Sequence, residues 1–365
     1  MTKAKVPLLW HIDFDTINRR NYSIYNYMEN NWNFTPQTST STITNDSICR
    51  LAGNLQELRL KSHHKCRLPE FKKITSENIE EIWKFLNMEK GRTTDFSYGG
   101  ILMWVDFFNY EYTIYKDTLF IKGVVENDLK KTAFSLPIGS LQLKDSINLL
   151  KEYCSIHNIQ LEFSAVPEYA LVEMKKLNPI SIEELSDWGD YLYDAQLLAT
   201  VSGKKMSKKR NHVHQFESHY PDAKFEWMNI DNANLAMDFM DKFDKEGDST
   251  EMAVAERKLS REIIKRISDG DKHLEGIILF AKGEVCAYTI GDVKGDTLFI
   301  HVEKATREVA GSYEMINYLF AKLMTEKYSQ IKFINREDDA GDIGLRMAKE
   351  SYHPIEILKK YNIVF

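Results

Sequence analysis

The sequence predicts a mixed α/β protein built from two successive units, each a sheet with one helical crossover. Three observations carry this. A strand-then-helix phrase at 71–86 returns 154 positions later, so that Asn78 aligns with Asn232, Phe71 with Phe225, Ile74 with Met228, Phe85 with Phe239 and Leu86 with Met240. Residues 275–303 read as three strand-like runs separated by the short turns Lys282–Gly283 and Lys294–Gly295. A helix-periodic stretch, 311–324, then joins the runs 297–303 and 331–335, the kind of long connection that parallel neighbours require.

Along the chain, residues 1–68 stand apart. Positions 21–46 are dominated by Asn, Ser, Thr and Tyr and offer little apolar surface, so 1–68 is expected to be a poorly ordered extension. The first unit, 69–190, opens with a strand at 71–74. Thr75 and Ser76 are candidate caps for a helix whose apolar stripe is Ile79, Ile82, Trp83 and Leu86. Aromatic-rich runs at 100–105 and 110–115 read as strands, and Lys116–Asp117 turns into a third at 118–125. A strand at 133–137, a helix at 144–157 and a strand at 160–164 complete it. The second unit, 191–365, begins with a helix from Ser202 whose stripe is Met206, Val213, Phe216 and Tyr220. The repeated phrase and a helix at 251–267 follow, then the three-stranded meander and crossover, a short helix at 341–349 and a strand at 355–358.

Composition narrows the function classes. A 43% hydrophobic content with 12% aromatics supplies real cores. The formal net charge of −6 argues against general coating of nucleic acid, yet 202–210 holds Lys204, Lys205, Lys208, Lys209 and Arg210 with no acid among them. No run reaches the roughly 18–20 apolar residues of a membrane helix, and no signal peptide is evident. The four cysteines, Cys49, Cys66, Cys154 and Cys286, lack metal or disulfide spacing, so reduced thiols, a cytoplasmic location and no metal site are expected. No Walker loop, dinucleotide fingerprint or nucleophile elbow occurs.

Several phrases go further: SGKKMSKKRNH at 202–212, IHVEKA at 300–305, FINREDD at 333–339 and SYHP at 351–354. With these, residues from about 70 to 365 resemble the C-terminal domain of phosphatidylglycerol lysyltransferases. That resemblance implies two tandem GNAT-like domains, with mixed sheets and a splayed parallel strand pair in which donor and acceptor meet. It also implies kinship with Fem-type and leucyl/phenylalanyl transferases, which take an aminoacyl group from charged tRNA. CoA-dependent members of the fold bind pyrophosphate through Arg/Gln-x-x-Gly-x-Gly/Ala, with glycines that let backbone amides approach the phosphates. The matching segment here is Arg307 to Ser312, in which the one glycine is displaced to Gly311 and Glu308 adds a negative charge. The resemblance therefore favours aminoacyl-tRNA over acyl-CoA as donor, with an amine or hydroxyl of a small molecule, peptide or lipid headgroup as acceptor.

Period-two alternation puts His301 and Glu303 on one strand face, with Asn335 and Glu337 on the parallel partner. Strand ends beside a crossover are where such folds place ligands. His301 or Glu303 is a candidate base, Asn335 a candidate donor to the oxyanion, and Tyr352 a candidate general acid. A purely structural ion network fits the same residues. Lys304, Arg307, Gly311, Arg336, Glu337, Arg346 and Lys349 are candidate substrate or phosphate contacts around the cleft, as are Lys204, Lys205, Lys208, Lys209, Arg210 and Asn211 on the basic helix; a solvated face is the alternative. The expected activity is aminoacyl transfer from tRNA, with a CoA-dependent acyltransferase or an RNA- or anion-binding module as rivals.

Overall fold

The computed structural model describes residues 66–243 and 251–365; the extension expected at 1–68 lies almost wholly outside them, as does Cys49. In chain order come β1 (Lys72–Lys73), α1 (Ile79–Leu86), α2 (Tyr98–Trp104), β2 (Glu111–Ile114), β3 (Thr118–Val125), β4 (Asp128–Phe134), β5 (Ile138–Gly139) and α3 (Leu143–His157). Next are β6 (Glu162–Pro167), α4 (Leu171–Lys175), β7 (Ser181–Glu184), β8 (Asp190–Asp194), α5 (Ala195–Thr200) and α6 (Ser207–His219). The remainder holds β9 (Lys224–Trp227), α7 (Ala233–Phe243), α8 (Glu251–Ser268), β10 (Leu274–Ala281), β11 (Glu284–Lys294) and β12 (Thr297–Ala305). It closes with α9 (Ser312–Lys327), β13 (Phe333–Asn335), α10 (Ile343–Glu350), β14 (Glu356–Leu358) and β15 (Lys360–Val364).

One sheet runs β1-β2-β3-β4-β6-β15-β7, with β5 beside β3; the other runs β9-β10-β11-β12-β13-β8-β14. Position by position the two orders correspond. Each has one parallel pair across a helix, β4 with β6 and β12 with β13. The strand next to last in each order is exchanged: β8, which follows the first unit, completes the second sheet, and β15, at the end of the chain, completes the first. A boundary at 190/191 therefore falls inside β8, and the first sheet needs the last residues of the second unit. Residues 66–365 form one compact unit.

The duplication is visible at the level of hydrogen bonds. Asn78 Oδ1 accepts from the Thr75 N–H at 2.8 Å and its amide donates to the Lys73 carbonyl at 2.9 Å. At the equivalent positions, Asn232 Oδ1 accepts from the Asn229 N–H at 2.8 Å and its amide donates to the Trp227 carbonyl at 3.0 Å. In both places a short side-chain amide supplies the partners that a helix entry leaves open. Of the stripe positions, Ile79, Ile82 and Leu86 of α1 are buried and Trp83 packs partly against them, while Phe85 joins them in one core with Ala236, Phe239 and Met240 of α7. That core lies between the sheets, while α3 covers the outer face of the first and α5, α6 and α9 that of the second.

Three departures from the sequence reading have clear causes. Residues 100–105, read as a strand, belong largely to α2, because Ser97 Oγ accepts from the Gly100 N–H and caps a helix there. The two glycines serve close approach instead: a Cβ at Gly99 would lie 2.4 Å from the His301 ring, and one at Gly100 would lie 2.3 Å from the Thr94 carbonyl oxygen. The basic helix starts at Ser207 and not at Ser202, so Lys204 and Lys205 sit on the turn before it. Finally, Leu68 is buried in the core with Phe71 and Tyr153, so the folded part begins earlier than 69.

Candidate active site

Strand β12 carries a β-bulge at His301. Opposite it on β11, Ile290 pairs with Val302 but the next residue, Gly291, pairs with Ile300, which leaves His301 as the extra residue. An inserted residue reverses the alternation beyond it. Ile300 accordingly packs into the outer core while Val302, two residues on, packs into the core between the sheets. His301 and Glu303 thus point to opposite faces, which overturns the expectation that they line one face.

On the inner face the His301 imidazole is enclosed. Its Nε2 stands 2.5 Å from Asp292 Oδ1 and its Nδ1 2.8 Å from Glu337 Oε1. Burial alone would lower its pKa, but the two carboxylates outweigh it and push it up to about 10. The ring is therefore a doubly paired imidazolium and is not the candidate base. Asp292 Oδ1 also accepts from the Gly99 N–H at 2.9 Å, which fixes α2 against the pair.

Asn335 joins the same face. Its amide donates to Asp190 Oδ2 at 2.8 Å and to the Arg92 carbonyl, while its Oδ1 accepts from the Glu337 N–H at 2.6 Å. Asn335 thus holds protein groups at short range. Asp190 and Lys360, the first residues of the two exchanged strands, meet at 2.9 Å, and Lys360 also pairs with Asp95 at 3.0 Å. Burial opposes the Lys360 charge, but Asp190, Asp95, Glu126 and Asp338 hold its pKa well above the usual range. Burial pushes Glu126 well up, with Asp95 adding to it, and Glu126 Oε2 has no hydrogen-bond partner. Burial likewise raises the half-buried Asp338 to about 6 against the pull of Lys360. A cavity of about 70 Å³ runs among Asp95, Glu126, Asp338, Lys360 and the rings of Trp104, Tyr110 and Trp188.

The outer face holds a second network. Glu303 accepts from Arg336 at 2.7 Å and from the Asn317 amide at 3.0 Å. The Arg336 guanidinium lies 4.6 Å from the centre of the Tyr352 ring, and the Lys209 ammonium lies 3.9 Å from the same centre. Lys209 pairs with Glu314. Tyr352 is buried between two cations, so it is separated by the sheet from His301 and Asn335. Burial raises its pKa strongly.

Strands β12 and β13 pair only from Thr297 to Phe299 and then part. Across the opening reach both ion pairs, His301–Glu337 on the inner face and Arg336–Glu303 on the outer. Arg336 and Glu337 are consecutive, so the alternation of an extended chain sends one side chain to each face, and the chain turns at Glu337 itself, which has a positive φ of 58°. In the second sheet the split is thus filled by side chains.

The sequence matches the family "Phosphatidylglycerol lysyltransferase, C-terminal" over residues 89–364. The chain belongs to this family. A conserved protein of unknown function from Bacteroides thetaiotaomicron is 30% identical, with a TM-score of 0.75 over 82% of this chain and 99% of that one. L-PGS from Bacillus licheniformis is similar in fold, with 16% identity and a TM-score of 0.51 over 80% of this chain and 92% of that one. FemX is similar in fold at 10% identity and a TM-score of 0.56, over 81% and 98% of the two chains. An uncharacterized protein of Mycoplasmoides gallisepticum is 27% identical over 173 residues, 47% of this chain; the chain spans about half, 54%, of that curated relative. The α/β architecture of two mixed sheets is that of tandem GNAT-like proteins.

Within this lysyltransferase-family domain the expected phosphate contacts divide. Arg336 and Arg346 are engaged, the latter by Asp339 at 2.7 Å and Asp187 at 3.0 Å, and the buried Lys349 ammonium donates to the Arg336 and Asp338 carbonyls. Arg210 donates to the carbonyls of Val201 and Gly203, and Lys304 pairs with Glu256. Gly311 sits at a φ of +81° against the His212 carbonyl, where a Cβ would come within 2.6 Å, so it packs helix against helix. These residues are held by the protein itself, which corrects their reading as free anion ligands. Lys204, Lys205, Lys208, Asn211 and Arg307 remain exposed. Sequence reasoning missed Asp95, Glu126, Asp190, Asp292, Asp338 and Lys360. One signal was available: Asp190 and Lys360 each head a run of apolar and aromatic residues that continues as a buried strand.

Among the described residues no helix is long and apolar enough to cross a membrane, and no cluster of His, Cys, Asp or Glu has metal-ligand geometry.

Proposed function

We propose that this domain transfers an aminoacyl group from charged tRNA to an amine or hydroxyl acceptor, with chemistry at the cavity beside Glu126 and Asp338. The observation that carries the reading is the charge balance there. Asp95, Glu126, Asp190 and Asp338 surround the Lys360 ammonium, with the Lys349 ammonium beside Asp338 as a second cation, and Glu126 Oε2 has no hydrogen-bond partner. Burial favours the protonated form of the Glu126 carboxyl, a cation entering beside it would favour the ionised form, and aromatic walls with carboxyl groups form a setting for an organic ammonium. The α-ammonium of an aminoacyl ester supplies that charge. A volume of about 70 Å³ fits an ammonium group and a few carbon atoms.

In the proposed step the acceptor lone pair attacks the ester carbonyl carbon. The bond to the ribose oxygen breaks, and the acceptor proton passes to Asp338 and on to the departing ribose oxygen. A carboxyl held near 6 is ionised at neutral pH and still close enough in pKa to exchange a proton. Membership of the lysyltransferase C-terminal family and the fold shared with the aminoacyl transferases L-PGS and FemX support the donor class. The two ion pairs that fill the strand opening weigh against an acyl-pantetheine arm in the second sheet.

The test is transfer of a labelled amino acid from charged tRNA to a panel of amines, phosphatidylglycerol and peptides. Asp338→Asn is expected to lower kcat by roughly 10²–10⁴-fold, the usual range for loss of an acid–base group. In the unaltered protein kcat should rise with pH through about 6, as Asp338 ionises, and that limb should vanish in the variant. Transfer from acetyl-CoA but not from charged tRNA would overturn the reading.

The exposed lysines before and within α6 offer a path for the tRNA backbone. Replacing Lys204 and Lys208 together by alanine is expected to reduce the slope of log affinity for tRNA against log salt by about one to two, because each phosphate contact releases counterions. An unchanged slope would make these residues a solvated face.

A further inference from the structure

Three boundaries of the inner cavity are rigidly backed. One is aromatic: the ring centres of Trp104 and Phe108 stand 5.7 Å apart, as do those of Phe108 and Tyr110. Tyr110 in turn rests on β3 at Gly123, where a Cβ would lie 2.8 Å from its ring. The second is the buried pair of Lys360 and Asp95 at 3.0 Å. The third is Gly100, where the Thr94 carbonyl leaves no room for a side chain. Trp188 is a boundary of another kind. It is half-buried and comes from the connection between β7 and β8. Its N–H closes a turn onto the Leu185 carbonyl at 3.0 Å, and Asp187 beside it meets Arg346 at 3.0 Å in an exposed pair. Arg346 also holds Asp339 at 2.7 Å, so one guanidinium ties the Trp188 loop to the loop that carries Asp338 and Ala340.

From this we infer that the cavity selects a small aminoacyl group, such as glycyl, alanyl or seryl, and that Trp188 sets the upper limit of its size. The inference rests on the reading of the cavity as the donor's ammonium site, and it names the donor class. A cavity of roughly 150 Å³ takes the carbon ring of benzene, so one of about 70 Å³ takes about half as many heavy atoms. An alanyl group fills that space with its nitrogen, Cα and Cβ. A lysyl or phenylalanyl side chain extends well past it. Overfilling a packed site forces rings or backbone to shift, and here the stacked rings, Gly100 and the buried ion pair each resist that. Charge would not give this selectivity, because the carboxyl groups attract the second ammonium of a lysyl group as they do the first. The limit is steric.

The test follows the tryptophan fluorescence of the full chain, to which Trp104 and Trp188 contribute from the cavity wall, during titration with amino-acid amides. Alaninamide, serinamide, lysinamide and phenylalaninamide carry the α-ammonium and a carbonyl but no ester to transfer. Alaninamide and serinamide are expected to saturate, roughly tenfold or more tighter than the two large amides, the penalty for overfilling a packed site. Trp188→Ala should close most of that gap and Trp188→Phe part of it, with Trp104 still reporting in both. The comparison in the unaltered protein stands whether or not a variant folds. Equal or tighter binding of lysinamide there would overturn the inference, as would no saturation by any amide, or a gap that both folded variants leave intact. Transfer from charged tRNA separates the size limit from the reaction. Lysyl transferred in preference to alanyl would keep the proposed reaction and sink the size limit. Selective binding of the small amides with no transfer from any charged tRNA would support the small site and remove the reaction.

Discussion

Lys360→Met is expected to destabilise the folded protein by about 3–5 kcal/mol at neutral pH, the usual cost of removing one partner from a buried ion network. Lys360 is fully buried and is the cation on which Asp95 and Asp190 both close. Without it, Asp190 and Glu126 keep their burial and lose their counter-charge. The variant should respond to pH in a defined way. Its carboxylates take up protons at higher pH in the folded state than in the unfolded chain, so the folded state binds more protons and stability falls as pH rises. Urea denaturation should therefore find the variant closer to the unaltered protein at pH 5 than at pH 8. A loss under about 1 kcal/mol, equal at both values, would show that the cluster is not the electrostatic unit described here. Because Lys360 and Asp190 head the exchanged strands, the same variant should loosen β15 and β8 first, which hydrogen exchange would register as lost protection in 190–194 and 360–364.

His301→Gln is the second large effect, again about 3–5 kcal/mol at neutral pH, since the neutral amide leaves Asp292 and Glu337 without the charge between them. The sign of the pH dependence differs from the lysine case. The imidazole pKa is raised, from the ordinary histidine value near 6.5 to about 10, so its contribution is complete below about 6.5 and is lost as pH rises through about 10. The stability gap between the unaltered protein and the variant should therefore be largest near pH 6 and narrow steadily toward pH 10. A gap that is constant with pH would mean that the ring is neutral in the folded state and that its role is packing alone.

How much of this was legible beforehand follows from the range over which each feature is encoded. The strand-and-helix order, the duplication and the crossover helix are set by local periodicity, and a side-chain amide at Asn78 and Asn232 fixes each helix entry from within six residues. The family phrases were likewise readable, since they are contiguous. Three things were not. The helix at Tyr98–Trp104 looked like a strand because its glycines serve contacts with Thr94 and His301, one of them in the other half of the chain. The opposite orientation of His301 and Glu303 comes from one inserted residue, which is defined only by the register against β11. The cluster around Lys360 draws on residues 95, 126, 190 and 338, far apart in sequence, and comes together only because β8 and β15 are exchanged.

The sequence by itself therefore determined the elements, their repeat and the family, because these depend on side-chain spacing within a turn, a strand or a contiguous phrase. Only the tertiary structure decided which charges are paired, which face the inner cavity and which stay in solvent. The protonation state of His301, Glu126 or Asp338 depends on burial and on carboxylates within a few ångströms, and those neighbours are brought by strand pairing across more than a hundred residues.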